Sequence, residues 1–268
     1  DPLARLIGPK LTESWGQPVI VDNRPGGNTI IGTEALAKSP PDGYTIMATT
    51  IAFAIVPSLL PTPYDPIKDF VPVGTLASTE LVLVLHPSVP ANNLQELIAL
   101  AKARPGQLNY ASSGSGTSPH LAGELFNIVA GVKVQHIPYK GGGPAITDLL
   151  GGQVQMVFFP PNLAIPHVKS GRLKAIAISG KARLSGLPQV PTFTEVGLTG
   201  FTVKNWFGVF APAGAPKTII DKLSTEIAKI LAMPDIKEKL ADLGMEPFIS
   251  TPDQFAARIN ADIAQYAK

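Results

Sequence analysis

The residues from Asn109 to His120, reading Asn-Tyr-Ala-Ser-Ser-Gly-Ser-Gly-Thr-Ser-Pro-His, set small hydroxyl side chains and glycines between a short apolar run and an amphipathic one. Residues of these types at this spacing suit the cradling of an anion. Ser118 is a good helix cap and Pro119 fits the first helical position, where its missing N–H costs nothing. The unpaired N–H groups of such a first turn, with the helix dipole behind them, favour a carboxylate, sulfate or phosphate. Ser112, Ser113, Ser115 and Thr117 add hydroxyl donors, and Gly114 and Gly116 let the backbone approach closely. The same residues would also serve an ordinary strand-to-helix turn, which needs glycine and a cap. Both readings stay open at this level.

Two further glycine-rich turns have the same character. Tyr139-Lys140-Gly141-Gly142-Gly143-Pro144 offers close backbone approach, and Arg24-Pro25-Gly26-Gly27-Asn28 adds a cation that can meet an acid or anchor its own loop. His120 lies where it can reach a ligand or satisfy a neighbouring backbone group. Phe158, Phe159, Pro160, Pro161 and Asn162 offer an apolar wall with one amide, and Trp206 and Phe207 line a cleft or fill a core. Nucleotide fingerprints fail: after Gly114 and Gly116 the third glycine position is Pro119, and no lysine follows to serve a phosphate loop. The nucleophile elbow fails too, since Ser115 is flanked at two residues by Ser113 and Thr117 rather than glycines. His86, His120, His136 and His167 show no zinc spacing, so neither a metal nor a cofactor is expected.

The elements that must carry these turns alternate in type. Asp1-Pro2 reads as a cap and first helical residue, with Leu3, Leu6, Ile7 and Leu11 on one face. A strand at Val19 to Val21, a helix at Gly32 to Lys38 and a strand at Thr45 to Ala48 follow. Dense strand patterns at Glu80 to His86 and Phe201 to Phe210 bracket a self-contained α/β block with strands at Leu108, Val134, Val154 and Leu173. The tail is mostly helical. This predicts an α/β fold with a discontinuous first domain, residues 1–84 plus 212–268, and an inserted second domain, residues 85–211. A chain of this type that opens on a capped helix leads us to expect a strand and turn ahead of Asp1.

The 268 residues are 45% hydrophobic, enough for a sizeable core. No apolar run reaches the ~18 residues needed to span a bilayer, so no membrane insertion is expected. Twenty-two basic residues balance 20 acidic ones without a basic block, which argues against nucleic acid. Cysteine is absent, which excludes disulfides, thiolate metal sites and a cysteine nucleophile. A signal peptide is not visible and is expected to have been removed.

The sequence resembles the Bug family of periplasmic solute receptors, the binding components associated with tripartite tricarboxylate transporters. The likeness covers nearly the whole chain. It is carried by Asp22-Asn23-Arg24-Pro25-Gly26, Pro41-Asp42-Gly43-Tyr44, Lys68-Asp69-Phe70, Leu108-Asn109-Tyr110-Ala111-Ser112-Ser113-Gly114, Pro138-Tyr139-Lys140-Gly141 and Trp206-Phe207-Gly208 with Ala211-Pro212-Ala213-Gly214. The resemblance implies a type II periplasmic-binding-protein fold, two α/β domains around a ligand cleft, closing without catalysis on a small mono- or dicarboxylate. It implies transporter subunits as membrane partners. Ser112, Ser113, Gly114, Ser115, Gly116 and Thr117 would hold one carboxylate, with Asp1, Arg24, Ala52, Phe53, His120, Phe159, Asn162 and Trp206 as neighbours. An opposing loop would precede Asp1. Where family members often carry Asp-Asn, this chain has Phe159-Pro160, which argues against an amino-acid ligand and for an apolar or aromatic body. A sensory receptor for a signalling partner and a hydrolase using the same cleft are the alternative readings.

Overall fold

The computed structural model describes residues 2–201 and 203–266. Asp1, expected as a helix cap and ligand neighbour, lies outside the described residues. The chain forms two compact units, one made of the residues up to Ser78 with those from Trp206 onward, the other of Thr79–Asn205. Both are α/β.

The first unit begins with α1 (Pro2–Trp15), a 3-10 turn at Gly27–Thr29 and α2 (Ile30–Ala37). Strand β1 (Met47–Thr50), helix α3 (Ala52–Leu59) and strand β2 (Phe70–Thr79) complete its N-terminal part. The chain returns on β8 (Asn205–Pro212) and ends with α8 (Lys217–Ala232), α9 (Pro234–Asp242), β9 (Met245–Pro247) and α10 (Pro252–Tyr266). The four strands form one sheet in the order β1-β8-β2-β9, with β1 antiparallel to β8. Alternation along β8 sends Val209 and Ala211 to a core shared with α1 and α8. Its other face presents Trp206 and Phe210. Phe53 stacks on Phe210 at 4.2 Å and meets Phe70 edge-on at 5.2 Å, while Trp206 meets Phe255 edge-on at 5.0 Å. The Trp206 indole N–H donates to Asp262 at 2.7 Å, and Arg258 pairs with the same carboxylate at 2.8 Å.

The expected strand at Val19 to Val21 does not form. This stretch is irregular, lies against Gly8 of α1 and gives the Val19 N–H to Thr12 Oγ1 at 3.0 Å. High β-propensity produces a strand only where a neighbouring strand supplies the ladder.

The second unit contains β3 (Val82–Leu85), α4 (Leu94–Ala103), β4 (Asn109–Ser112), α5 (Ser118–Ala130) and β5 (Gln135–Pro138). It continues with α6 (Gly142–Leu150), β6 (Met156–Phe159), α7 (Pro161–Lys169) and β7 (Lys174–Ile178). Its five-stranded sheet runs β5-β4-β6-β3-β7, with β5, β4 and β6 mutually parallel and β3 antiparallel to β6 and β7. The chain passes between units at Ser78 and Asn205, a few residues ahead of the expected 84 and 211, which keeps β3 whole within this sheet. Leu83, Leu85, Tyr110, Met156 and Phe158 face one core layer with Phe126 of α5 and Leu97 of α4. Val82, Val84, Ala111, Val157 and Phe159 face the other, with Leu149 of α6 and Ala164 of α7. A sheet covered on both faces has this period-two division of an unbroken apolar strand. The Ser179 hydroxyl ties the entering and leaving segments together, accepting the Leu81 N–H at 2.9 Å and bonding the Val203 carbonyl at 3.0 Å.

Candidate functional site

Parallel strands β5, β4 and β6 end on the same side of the sheet, and each is followed directly by a helix, α6, α5 and α7 respectively. Three helix N-termini therefore sit side by side. None of the three has a side-chain cap: the N-cap residues are Gly141, Thr117 and Pro160, and no side chain accepts from the first-turn amides. Helix α4 is different. Asn93 accepts the Glu96 N–H at 2.9 Å, and Glu96 accepts the Asn92 N–H at 2.7 Å, so its first turn is satisfied from within. At the three termini no side-chain cap offsets the positive end of the helix.

The central terminus carries the Ser112–Thr117 loop. Its cap is Thr117, with Ser118 and Pro119 as the first helical residues, one position earlier than the sequence led us to expect. Gly114 and Gly116 adopt φ of 127° and 81°, which L side chains rarely reach, so the loop's path requires them. Its amides alternate. The Gly114 N–H donates to Ser112 Oγ at 3.1 Å and the Gly116 N–H to His120 Nδ1 at 3.1 Å. Those of Ser113 and Ser115 have no partner among the described residues, nor do their hydroxyls. Ser112 and Thr117, expected as ligand donors, spend their hydroxyls on the Gly114 carbonyl, at 3.1 and 2.6 Å.

The neighbouring turns close around this loop. The Tyr139 N–H donates to the Ser112 carbonyl at 3.0 Å, and the Gly142 position faces both Ser113 Oγ and Leu163. Asn162, at the start of α7, buries Oδ1 without a partner among the described residues.

Beneath the loop lies a group that sequence reasoning missed. His136 on β5 brings Nε2 to 2.6 Å from Ser112 Oγ, packs against His120 at 4.2 Å between ring centroids and stacks on Tyr110 at 4.9 Å. The Tyr110 hydroxyl donates to Glu124 at 2.6 Å. Burial pushes the His136 imidazole down to about 4, helped by His120 and opposed by Glu124. Burial also lowers His120, against the pull of Glu124, and raises Tyr110, with Glu124 adding to it. Spacing held part of the signal, since His120 and Glu124 are four apart on α5, but the Tyr110–His136 register is tertiary.

The other expected contacts are placed elsewhere. Ala52, Phe53 and Trp206 are fully enclosed in the first unit, and Phe159 points into the second unit's core. Arg24 is exposed and pairs with Asp22 at 2.7 Å. Among the described residues no three His, Cys, Asp or Glu side chains are grouped to hold a metal ion, and no helix is long and apolar enough to cross a membrane.

Comparison with known proteins agrees with this architecture. The family described as tripartite tricarboxylate transporter family receptor matches residues 3–268. Protein BugT of Bordetella pertussis is 40% identical over all of this chain and 83% of its own length. The structure of an R. palustris protein with adipate superposes with a TM-score of 0.95 at 34% identity, covering 99% of this chain and 90% of that one. The periplasmic binding protein BugD superposes at 0.92 and 33% identity, covering 100% and 90%. The periplasmic-binding-protein fold implied by the residue resemblance is thus the fold of the chain. With a match over nearly its whole length and relatives of this identity, the chain belongs to the tripartite tricarboxylate transporter family of receptors.

Proposed function

We propose that the protein is a periplasmic solute-binding receptor that captures a small organic mono- or dicarboxylate without transforming it, and delivers it to transporter subunits in the membrane. The observation that carries this reading is the row of three uncapped helix N-termini, with the Ser113 and Ser115 amides and hydroxyls unspent at its centre. A carboxylate accepting two backbone N–H bonds at a helix N-terminus is held by charge-assisted bonds and by the dipole together. Asn162 supplies an acceptor, which suits a hydroxyl or protonated acid on the ligand. Phe159 is enclosed, so it provides no aromatic wall, and the ligand needs no apolar body on its account.

Catalysis finds little support in the same geometry. The Ser112–His136 pair has the reach of a nucleophile and base, but Ser112 is fully buried and its hydroxyl is bonded inside the loop. The carboxylate nearby, Glu124, takes the Tyr110 hydroxyl instead.

A thermal-shift panel of adipate, malate, glutamate and benzoate tests the reading, because a ligand of the native state stabilises it by about 2.7 kcal/mol at a hundredfold excess over Kd. Stabilisation by one or more of the carboxylates, with the acid recovered unchanged, is expected. A panel without any shift, or chemical conversion of the bound acid, overturns it.

A further inference from the structure

We propose that His120, with His136 packed against it, is the positioning residue of the carboxylate loop: it holds the Gly116 amide inward so that the Ser113 and Ser115 amides face the ligand. This rests on the receptor reading above.

Both ends of the loop are pinned by imidazoles. His136 reaches the Ser112 hydroxyl at 2.6 Å, and His120 accepts the Gly116 N–H at 3.1 Å. The rings lie 4.2 Å apart, so one end cannot shift without disturbing the support of the other. Three residues lie between Ser112 and Gly116, and the inward amides of Gly114 and Gly116 alternate with the outward ones of Ser113 and Ser115. An acceptor for a backbone N–H is what His120 contributes. Nδ1 accepts only when it carries no proton, which puts the ring's proton on Nε2 in the neutral form.

Among the described residues, Tyr110 and Glu124 are the titratable groups that face the two imidazoles. Tyr110 from β4 stacks on His136 and bonds the His120 carbonyl at 3.3 Å, Glu124 from α5 takes the Tyr110 hydroxyl, and the two imidazoles face each other. Burial shifts the pKa of both imidazoles down and so favours their neutral forms, with Glu124 opposing. Protonation of His120 would set an N–H against the Gly116 N–H. The loop would then lose its inner support, and ligand affinity would fall in acid for a reason separate from protonation of the ligand.

Three proteins tested with adipate and malate by titration calorimetry between pH 5 and pH 8 decide the matter. His120→Leu removes the acceptor and is expected to weaken binding roughly tenfold at pH 7.5, the scale of one lost oriented hydrogen bond. His120→Asn places an acceptor oxygen where Nδ1 stands and is expected to stay near wild-type affinity, with a flatter acid limb because it does not titrate. Imidazole nitrogen NMR of the wild type should show His120 Nδ1 unprotonated at pH 7.5. Wild-type binding that His120→Leu leaves unchanged overturns the positioning role and spares the receptor reading. A wild type that binds neither these acids nor the others of the panel overturns both. If His120→Leu does not fold, a protonated Nδ1 in the wild type, or an acid limb in His120→Asn as steep as the wild type's, overturns the role.

Discussion

Among the described residues of the discontinuous unit, the basic side chains of Lys10, Arg24, Lys38, Lys68, Lys217, Lys229 and Arg258 are held in ion pairs. In the Thr79–Asn205 unit Lys102, Arg104, Lys133, Lys140, Lys169 and Lys181 have no ion-pair partner among the described residues. The sums differ in sign as well: twelve basic against fifteen acidic residues in the first unit, ten against five in the second, −3 and +5 within an overall +2. Uncapped helices occur in both units, but the second carries three whose N-termini follow adjacent parallel strands of one sheet. A near-neutral chain thus conceals a division between a net-acidic unit and a net-basic one, and a net-basic surface favours the approach of an anion.

The strongest test of that division strikes each unit at a glycine with no room for a side chain. A Cβ on Gly123 would lie 2.1 Å from the Tyr110 ring, and one on Gly208 would lie 2.1 Å from Phe255. Gly123→Ala and Gly208→Ala should each cost about 3 kcal/mol through overpacking. They should differ in what melts first. Both tryptophans, Trp15 and Trp206, lie in the first unit, so tryptophan emission follows that unit while far-ultraviolet circular dichroism follows both. Gly123→Ala should move the dichroism transition ahead of the emission transition and abolish carboxylate binding; Gly208→Ala should reverse the order. Coincident transitions in both variants would mean the units unfold as one.

Within the first unit, the buried Asp262 accepts the Trp206 indole and pairs with Arg258. Asp262→Ala leaves a buried N–H without an acceptor and should cost about 2–3 kcal/mol, read as a lower urea midpoint by emission. Carboxylate affinity should not change under native conditions. A loss of affinity equal to that of Gly123→Ala would erase the distinction between the units.

The contrast between Asn109–His120 and the expected aromatic wall shows where sequence reading stops. Glycines at 114 and 116, a cap beside Pro119 and the amphipathic run after it are local properties, and the β4-loop-α5 unit they predict is present to within a residue. Phe159 follows the same strand logic, yet which of Phe158 and Phe159 faces a ligand depends on what covers each face, and here both faces are covered. Phe53 and Trp206 fail as lining residues for the same reason, being the apolar filling between β8, α3 and α10. His136 was invisible because its role comes from strand register, which sets it beside Tyr110 across 26 residues of chain.

Acid should distinguish the units again, with a smaller effect. An unfolded imidazole binds its proton near pH 6.5, whereas the folded His136 holds off until about 4. The unfolded chain therefore binds more protons in that window, so the stability contributed is complete above pH 6.5 and is lost as pH falls towards 4. After solvent screening of a half-buried ring this amounts to about 1–2 kcal/mol. Across this window the dichroism midpoint of the wild type should fall more steeply than that of His136→Gln, while their emission midpoints, which follow the first unit, stay alike. Parallel curves would show that His136 contributes no pH dependence.

The smallest effect concerns the unpaired cations themselves. Lys140 lies in the turn whose Tyr139 amide bonds the cradle loop, while Lys133 precedes the same strand at its other end. The strand between them, Gln135–Pro138, alone spans roughly 13 Å. That exceeds the Debye length of about 8 Å at physiological salt, so of the two Lys140 is the one placed to act on an anion at the loop. Lys140→Gln should slow carboxylate association about twofold at low ionic strength and less in 0.15 M salt, while Lys133→Gln should leave it unchanged at the higher salt. Equal slowing by both substitutions would mean that the whole +5 field steers the ligand, and that the positive potential of the second unit is a property of its surface rather than of the cradle.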